Sequence, residues 1–166
     1  MPIVHSIAEL PNVPAVYAMY GGSKNSAFVA YVGIADVLKR RVRQHLIQRD
    51  SSVVVGVTAV SLNPDFVTEV RWWEHPEFTE RRVLQAAELV AFDVLEPALR
   101  SRGGITAEAK QLYDNATFNK RMQELFIGDA AGQLIISTLQ SALERIAQLE
   151  QRILSLEQQV REQDKQ

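Results

Sequence analysis

The chain has 166 residues, with 18 Lys plus Arg against 20 Asp plus Glu for a formal net charge of -2, 46% hydrophobic residues and no cysteine. That composition fits one globular domain with room for an appendage, and it excludes a disulfide framework, a thiol nucleophile, an iron-sulfur cluster and a cysteine-based zinc site. The longest apolar stretch, around Val53 to Val60, is far shorter than a bilayer span, and the first residues lack the basic and apolar regions of a leader, so no membrane association and a cytoplasmic home are expected.

From Val13 to Tyr20 and from Phe28 to Ile34 the sequence is rich in β-branched and aromatic residues, with the turn formers GGSKNS between, which predicts a β-hairpin. Asp36 stands where an N-cap belongs, and Val37, Leu38, Val42, His45 and Leu46 recur near helical spacing, which predicts an amphipathic helix. The run VVVGVTAVSL suits a buried strand, and after Asn63-Pro64-Asp65 the segment Phe66 to Glu74 has strand composition. Trp72 and Trp73 fall on opposite sides of that strand and are read as packing residues. Thr79 opens a helix that Pro97 ends or kinks, Thr106 caps a helical stretch broken near Asn115, and from about residue 130 the Gln, Glu, Arg, Leu and Ile composition predicts one long helix.

In that last segment Leu139, Ile146, Ile153 and Val160 occupy heptad position a, and Ile135, Ala142, Leu149 and Leu156 position d. Arg145 and Arg152 at g face Glu150 and Glu157 at e′, so residues 129–166 are expected to form a parallel coiled-coil oligomerisation helix, giving a homodimer or a higher oligomer. The same segment carries four basic and six acidic residues, so the whole net charge of -2 resides in it. The part before it is neutral overall, with its positive charge gathered on the helix that carries Lys39, Arg40, Arg41 and Arg43.

Chemistry concentrates in the same region. Tyr17 and Tyr31 sit on the two strands of the hairpin, and Arg41 and His45, at i and i+4, share one side of the next helix. A guanidinium stabilises charge on a phosphorane, and a phenol or imidazole orients or deprotonates water, so the set suits a phosphodiester. Lys39, Arg40 and Arg43 add a nucleic-acid-binding patch. With an ordinary pKa near ~10, Tyr17 needs help to act as a base at neutral pH, while His45, near ~6.5, is the alternative acceptor; both roles stay open.

The ordered set AVY, YVG, Arg41 eight residues after Gly33, His45 four further on, and a later helical Glu88 followed nine residues on by Pro97 resembles the GIY-YIG nuclease family. The resemblance implies an α/β (α+β) fold in which a small three-stranded antiparallel sheet is flanked by helices, here with the long C-terminal coiled-coil helix following it. It assigns residues 1–128 to a nuclease domain with a helical extension, its core at 11–102. It further implies a metal-dependent cut in DNA, with Glu88 the carboxylate ligand of Mg2+ (or Mn2+), Tyr17 and Tyr31 in the site and Arg41 the transition-state stabiliser. The chain departs from the family where Arg100 stands in place of a common Asn, for which Asn115 or Asn119 are the candidate substitutes. An inactive module of the same fold that grips nucleic acid or a protein is the alternative.

Overall fold

The computed structural model describes residues 1–21, 28–48, 52–55, 58–61, 63–100, 104–137, 146–147 and 149–158. In chain order these form β1 (Ile3–Val4), β2 (Ala15–Gly21), β3 (Phe28–Ala35), α1 (Leu38–Leu46), β4 (Ser52–Val55), β5 (Thr58–Ser61), β6 (Val67–Trp73), α2 (Arg81–Leu95), β7 (Leu99–Arg100), α3 (Ala107–Tyr113), α4 (Ala116–Ile127) and β8 (Gly132–Ile135), with short 3-10 turns at 7–9, 64–66 and 76–79.

The expected three-stranded antiparallel sheet is replaced by a six-stranded mixed sheet in the order β1-β8-β6-β2-β3-β7. Its centre is the antiparallel trio β6-β2-β3, and the edges are added by parallel pairs, Ile3 with Gln133 at one side and Tyr31 with Leu99 at the other. The run predicted as one strand folds instead as the two-stranded β4-β5 hairpin, Val53 opposite Val60.

β2 runs through the middle with both faces covered. Val16 and Ala18 join the core formed with α2, α3 and α4, while Tyr17 and Met19 join the core under α1. Strand alternation explains the split, since successive side chains point to opposite faces. The same alternation sends Trp72 to the α1 side and Trp73 to the other, where its ring meets Phe126 edge-on at 5.6 Å between centroids. Both tryptophans pack, as expected.

The helix starts differ in detail from the sequence reading. Asp36 does not cap α1; its carboxylate accepts from Arg81 at 3.0 Å, and Val37 holds the cap position without a side-chain bond. Leu38 and Val42 anchor the helix, each burial contributing roughly 1.5–3 kcal/mol. Thr106 does cap α3, accepting from the Ala109 N–H at 3.2 Å, and Asn115 caps α4, accepting from the Phe118 N–H at 3.0 Å. α2 ends at Leu95, before Pro97, with Glu96 in the left-handed region at φ 45°.

The long helix from residue 130, and with it the C-terminal coiled coil, is overturned by β8. Gly132–Ile135 pairs antiparallel with β6, Ile135 lies opposite Glu69, and Leu134 is buried in the α1-side core. A residue held in a sheet ladder cannot open a heptad seam, and Ile135 was the first of the d positions. Of the other predicted seam residues, Leu139, Ala142 and Val160 lie outside the described residues, while Ile146, Leu149, Ile153 and Leu156 are exposed on a helical stretch at 146–147 and 149–158. The chain divides into compact units at Met1–Ile136 and Ser137–Gln166. No helix among the described residues is long and apolar enough to cross a membrane.

Gly132 shows why that segment becomes a strand. It pairs with Trp72, and a Cβ placed there would lie 2.1 Å from Cζ2 and 2.4 Å from Cη2 of the indole. The ring fills the space that any side chain would take. Gly132→Ala is therefore expected to lower stability by about 2 kcal/mol through overpacking, read as a shift in urea midpoint at unchanged slope. An unchanged midpoint would show that the Trp72 ring is not seated there.

Candidate active site

The sheet brings the two predicted tyrosines together on the α1 side. Tyr17 lies opposite Gly33, and Tyr31 lies opposite Met19, so the phenols are diagonal neighbours across β2 and β3 with ring centroids 6.0 Å apart. The register shifts between Met19 and Tyr20, leaving Ala30 without a partner. This bulge sits directly beside Tyr31 and allows Ala30 and Tyr31 to share one face.

Gly33 is required by the phenols. A Cβ at this position would stand 2.6 Å from Tyr31 Oη and 3.0 Å from Tyr17 Oη, so both oxygens converge on the bare backbone of β3. The glycine of YVG thus keeps open the space in which the two hydroxyls meet.

α1 starts at the Ala15 end of β2, where the Leu38 N–H donates to Val13 O at 3.0 Å. It then crosses the tyrosine face. In its last turn His45, only 1% exposed, places Nε2 2.8 Å from Tyr17 Oη, and its ring centroid lies 5.2 Å from that of Tyr31. Arg41, one turn earlier, donates from Nη1 to Gln44 Oε1 at 3.2 Å and acts electrostatically on both phenols. Glu88 lies on α2; it is 1% exposed, makes an interaction within the protein, and its charge acts on Tyr31. Of the five predicted catalytic residues, Tyr17, Tyr31 and His45 are in ring contact, and Arg41 and Glu88 act on the phenols through their charge.

Burial dominates the protonation states. It pushes the Tyr17 phenol well above its ordinary range, reinforced by Tyr31 and opposed by Arg41. Burial also raises Tyr31, opposed by its bond with Tyr17 and the Arg41 charge, with Glu88 adding to the rise. His45 moves the other way, pushed down to about 4 by burial and then by the Arg41 charge. At neutral pH the site therefore holds two neutral phenols and a neutral imidazole. Tyr17 cannot be a pre-formed phenolate, but the imidazole is free of a proton on one nitrogen. In the tautomer protonated at Nδ1, Nε2 accepts from the Tyr17 O–H.

The remaining candidates are placed as follows. Lys39 is half-buried on α1, whereas Arg40 and Arg43 are exposed. Asn115 caps α4, and Asn119 donates to Tyr113 O at 3.2 Å and accepts from Gln123 at 2.8 Å. Arg100 lies in β7 with its guanidinium 5.2 Å from the centre of the Phe92 ring.

One residue that the sequence did not single out supports the Glu88 helix. Gln85, one turn earlier on α2 and 6% exposed, donates to Gly104 O at 2.8 Å and accepts from Thr106 Oγ1 at 3.1 Å. It ties α2 to the start of α3, and a glutamine on an apolar helix face is the signal that marks it.

Among the described residues no three or more His, Asp or Glu side chains gather to hold a metal ion. Were a cation bound as the resemblance implies, Glu88 would be its carboxylate ligand, with phosphate oxygens and water completing a donor set that magnesium accepts. Protein-family models, curated proteins and solved structures all give no match to this chain.

Proposed function

We propose that this protein is a phosphodiester hydrolase of the GIY-YIG type that cuts DNA with a divalent cation. The observation that carries the reading is the convergence of Tyr17, Tyr31 and His45 around a 2.8 Å phenol–imidazole bond, with Arg41 beside them and Glu88 acting from α2. Nothing in packing alone asks for a buried histidine and two buried hydroxyls under one guanidinium.

In this reading the Tyr17 hydroxyl orients the attacking water. As that water loses its proton to the phenol oxygen, the phenol passes its own proton to His45 Nε2, so the charge created is imidazolium rather than phenolate. This assigns the base to a pair: Tyr17 touches the water, and His45 stores the proton. Arg41 stabilises the charge that builds on the non-bridging oxygens, and Tyr31 holds the second hydroxyl against the same space. A magnesium or manganese ion on Glu88, when bound, supplies Lewis-acid polarisation of the phosphate.

The test is cleavage of plasmid, linear duplex, branched and single-stranded DNA by the wild-type chain and Glu88→Gln, with magnesium or EDTA. Magnesium-dependent product from the wild type, lost in Glu88→Gln, is expected. If every substrate stays intact while DNA binding persists, the protein is instead a binding module of this fold, the reading favoured by the near-complete burial of the Glu88 carboxylate.

A further inference from the structure

Away from the buried cluster, one large aromatic side chain among the described residues is mostly exposed. Phe66 closes the single turn Pro64–Phe66 that leads into β6, and it is 71% exposed, while Val67 next to it is buried and paired with Gly21. The turn is held by its own cap, Asn63 accepting from the Asp65 N–H at 3.0 Å. Its backbone is therefore fixed while its ring projects from the protein.

The neighbour of that turn is α1. The helix is pinned at the opposite end of the sheet, where Leu38 and Lys39 donate to Val13 and Pro11. Nine residues rise ~13 Å, so α1 travels along the face away from that end, and the turn packs against the helix. α1 contains four cations besides His45 and no carboxylate, and Arg40 and Arg43 are exposed on it. The nearest preceding carboxylate, Asp36, is paired with Arg81 at 3.0 Å, and Asp65 on the turn itself has an interaction of its own.

An exposed ring on a turn that packs against a cation-rich helix has the chemistry that holds a single nucleic-acid strand: cations track the phosphates, and an aromatic face takes a base. Bases in an intact duplex are already stacked on each other and offer no free face. We propose that Phe66 is a stacking platform for an unpaired base of a DNA strand whose phosphates run along α1. This rests on the DNA-cleaving reading above and narrows its substrate class to single-stranded or locally opened DNA.

The experiment is metal-free binding, which separates the platform from catalysis. Fluorescence anisotropy of a labelled oligothymidylate and of a blunt duplex is compared for wild type, Phe66→Ala, Phe66→Tyr and Arg43→Ala. A second oligonucleotide carries an adenine analogue whose emission is quenched on stacking. Phe66→Ala should weaken single-strand binding by roughly 5- to 150-fold, the worth of one stacked base, while duplex binding changes little. It should abolish the quenching and leave the dependence on salt unchanged, whereas Arg43→Ala should flatten that dependence. Phe66→Tyr should restore both affinity and quenching. Because the ring is exposed, the melting temperature should stay put, so lost binding is not lost folding. Equal losses on both DNA forms, unchanged affinity, or no binding by the wild type overturns the platform. The cleavage reading falls separately, if no cation supports product from DNA that the protein binds.

Discussion

Tyr17→Phe is expected to slow single-turnover DNA cleavage by about 100- to 10,000-fold, the range supplied by a positioned proton-transfer group. The substitution keeps the ring, and with it the contacts to Tyr31 at 6.0 Å and His45 at 5.9 Å between centroids, so packing stays nearly as it is. What disappears is the hydroxyl that lies 2.8 Å from His45 Nε2. In the proposed chemistry that hydroxyl is the only route from water to imidazole, because the buried phenol resists ionising by itself. A structural cost accompanies the loss: Nε2 loses this partner in a buried setting, worth roughly 1–3 kcal/mol. Rates must therefore be measured well below the variant's unfolding midpoint, with DNA binding followed in parallel. A variant that binds DNA normally and cuts at the wild-type rate would remove Tyr17 from the proton path. A loss confined to binding would make it a substrate contact.

How much of this could be read from the residues alone varies with the length of the signal. β2, β3 and β6 each have seven or eight residues, rich in β-branched and aromatic types, long enough for strand composition to register even where both faces are buried, and each was expected where it lies. β1 and β7 have two residues each and carry no period at all; they exist because the neighbouring strands β8 and β3 offer open ladder groups. β8 was misread for a different reason. Its GQLI lies among residues of helical composition, and Ile135 falls in phase with apolar positions further on, yet the fit of Gly132 under the Trp72 ring and the burial of Leu134 decide the local conformation. Tertiary contact outweighs propensity there. Asp36 is a similar case: a good cap by type was drawn off by Arg81, a partner 45 residues away.

The meeting of Tyr17, Tyr31 and His45 was legible from two short-range features, adjacent strands of one hairpin and the i to i+4 spacing of Arg41 and His45 on the next helix, and neither depends on the rest of the chain. What spacing could not indicate was the degree of burial, and burial decides the chemistry. It raises both phenols and lowers the imidazole, which is why the proposed chemistry uses Tyr17 and His45 as a pair joined by one hydrogen bond.

That burial has a consequence for stability that needs no substrate. The folded His45 imidazole stays neutral down to about 4, whereas the unfolded one takes up a proton near its ordinary ~6.5. Between those values the unfolded chain binds more protons than the folded one, so stability must fall as the pH is lowered through that window. The full effect is roughly 3 kcal/mol, since each unit of separation is worth ~1.4 kcal/mol. Other groups titrate in the same range, so the measurement is a difference: urea midpoints of wild type and His45→Gln at a series of pH values. His45→Gln is expected to be the less stable protein at neutral pH and to lose less on acidification, so that the two curves converge toward pH ~4. Parallel curves would mean that His45 is not held neutral. Arg41→Gln refines the cause: removing the nearby positive charge should let His45 titrate closer to its ordinary value, shrinking the acid-sensitive window without abolishing it, because burial is the larger influence.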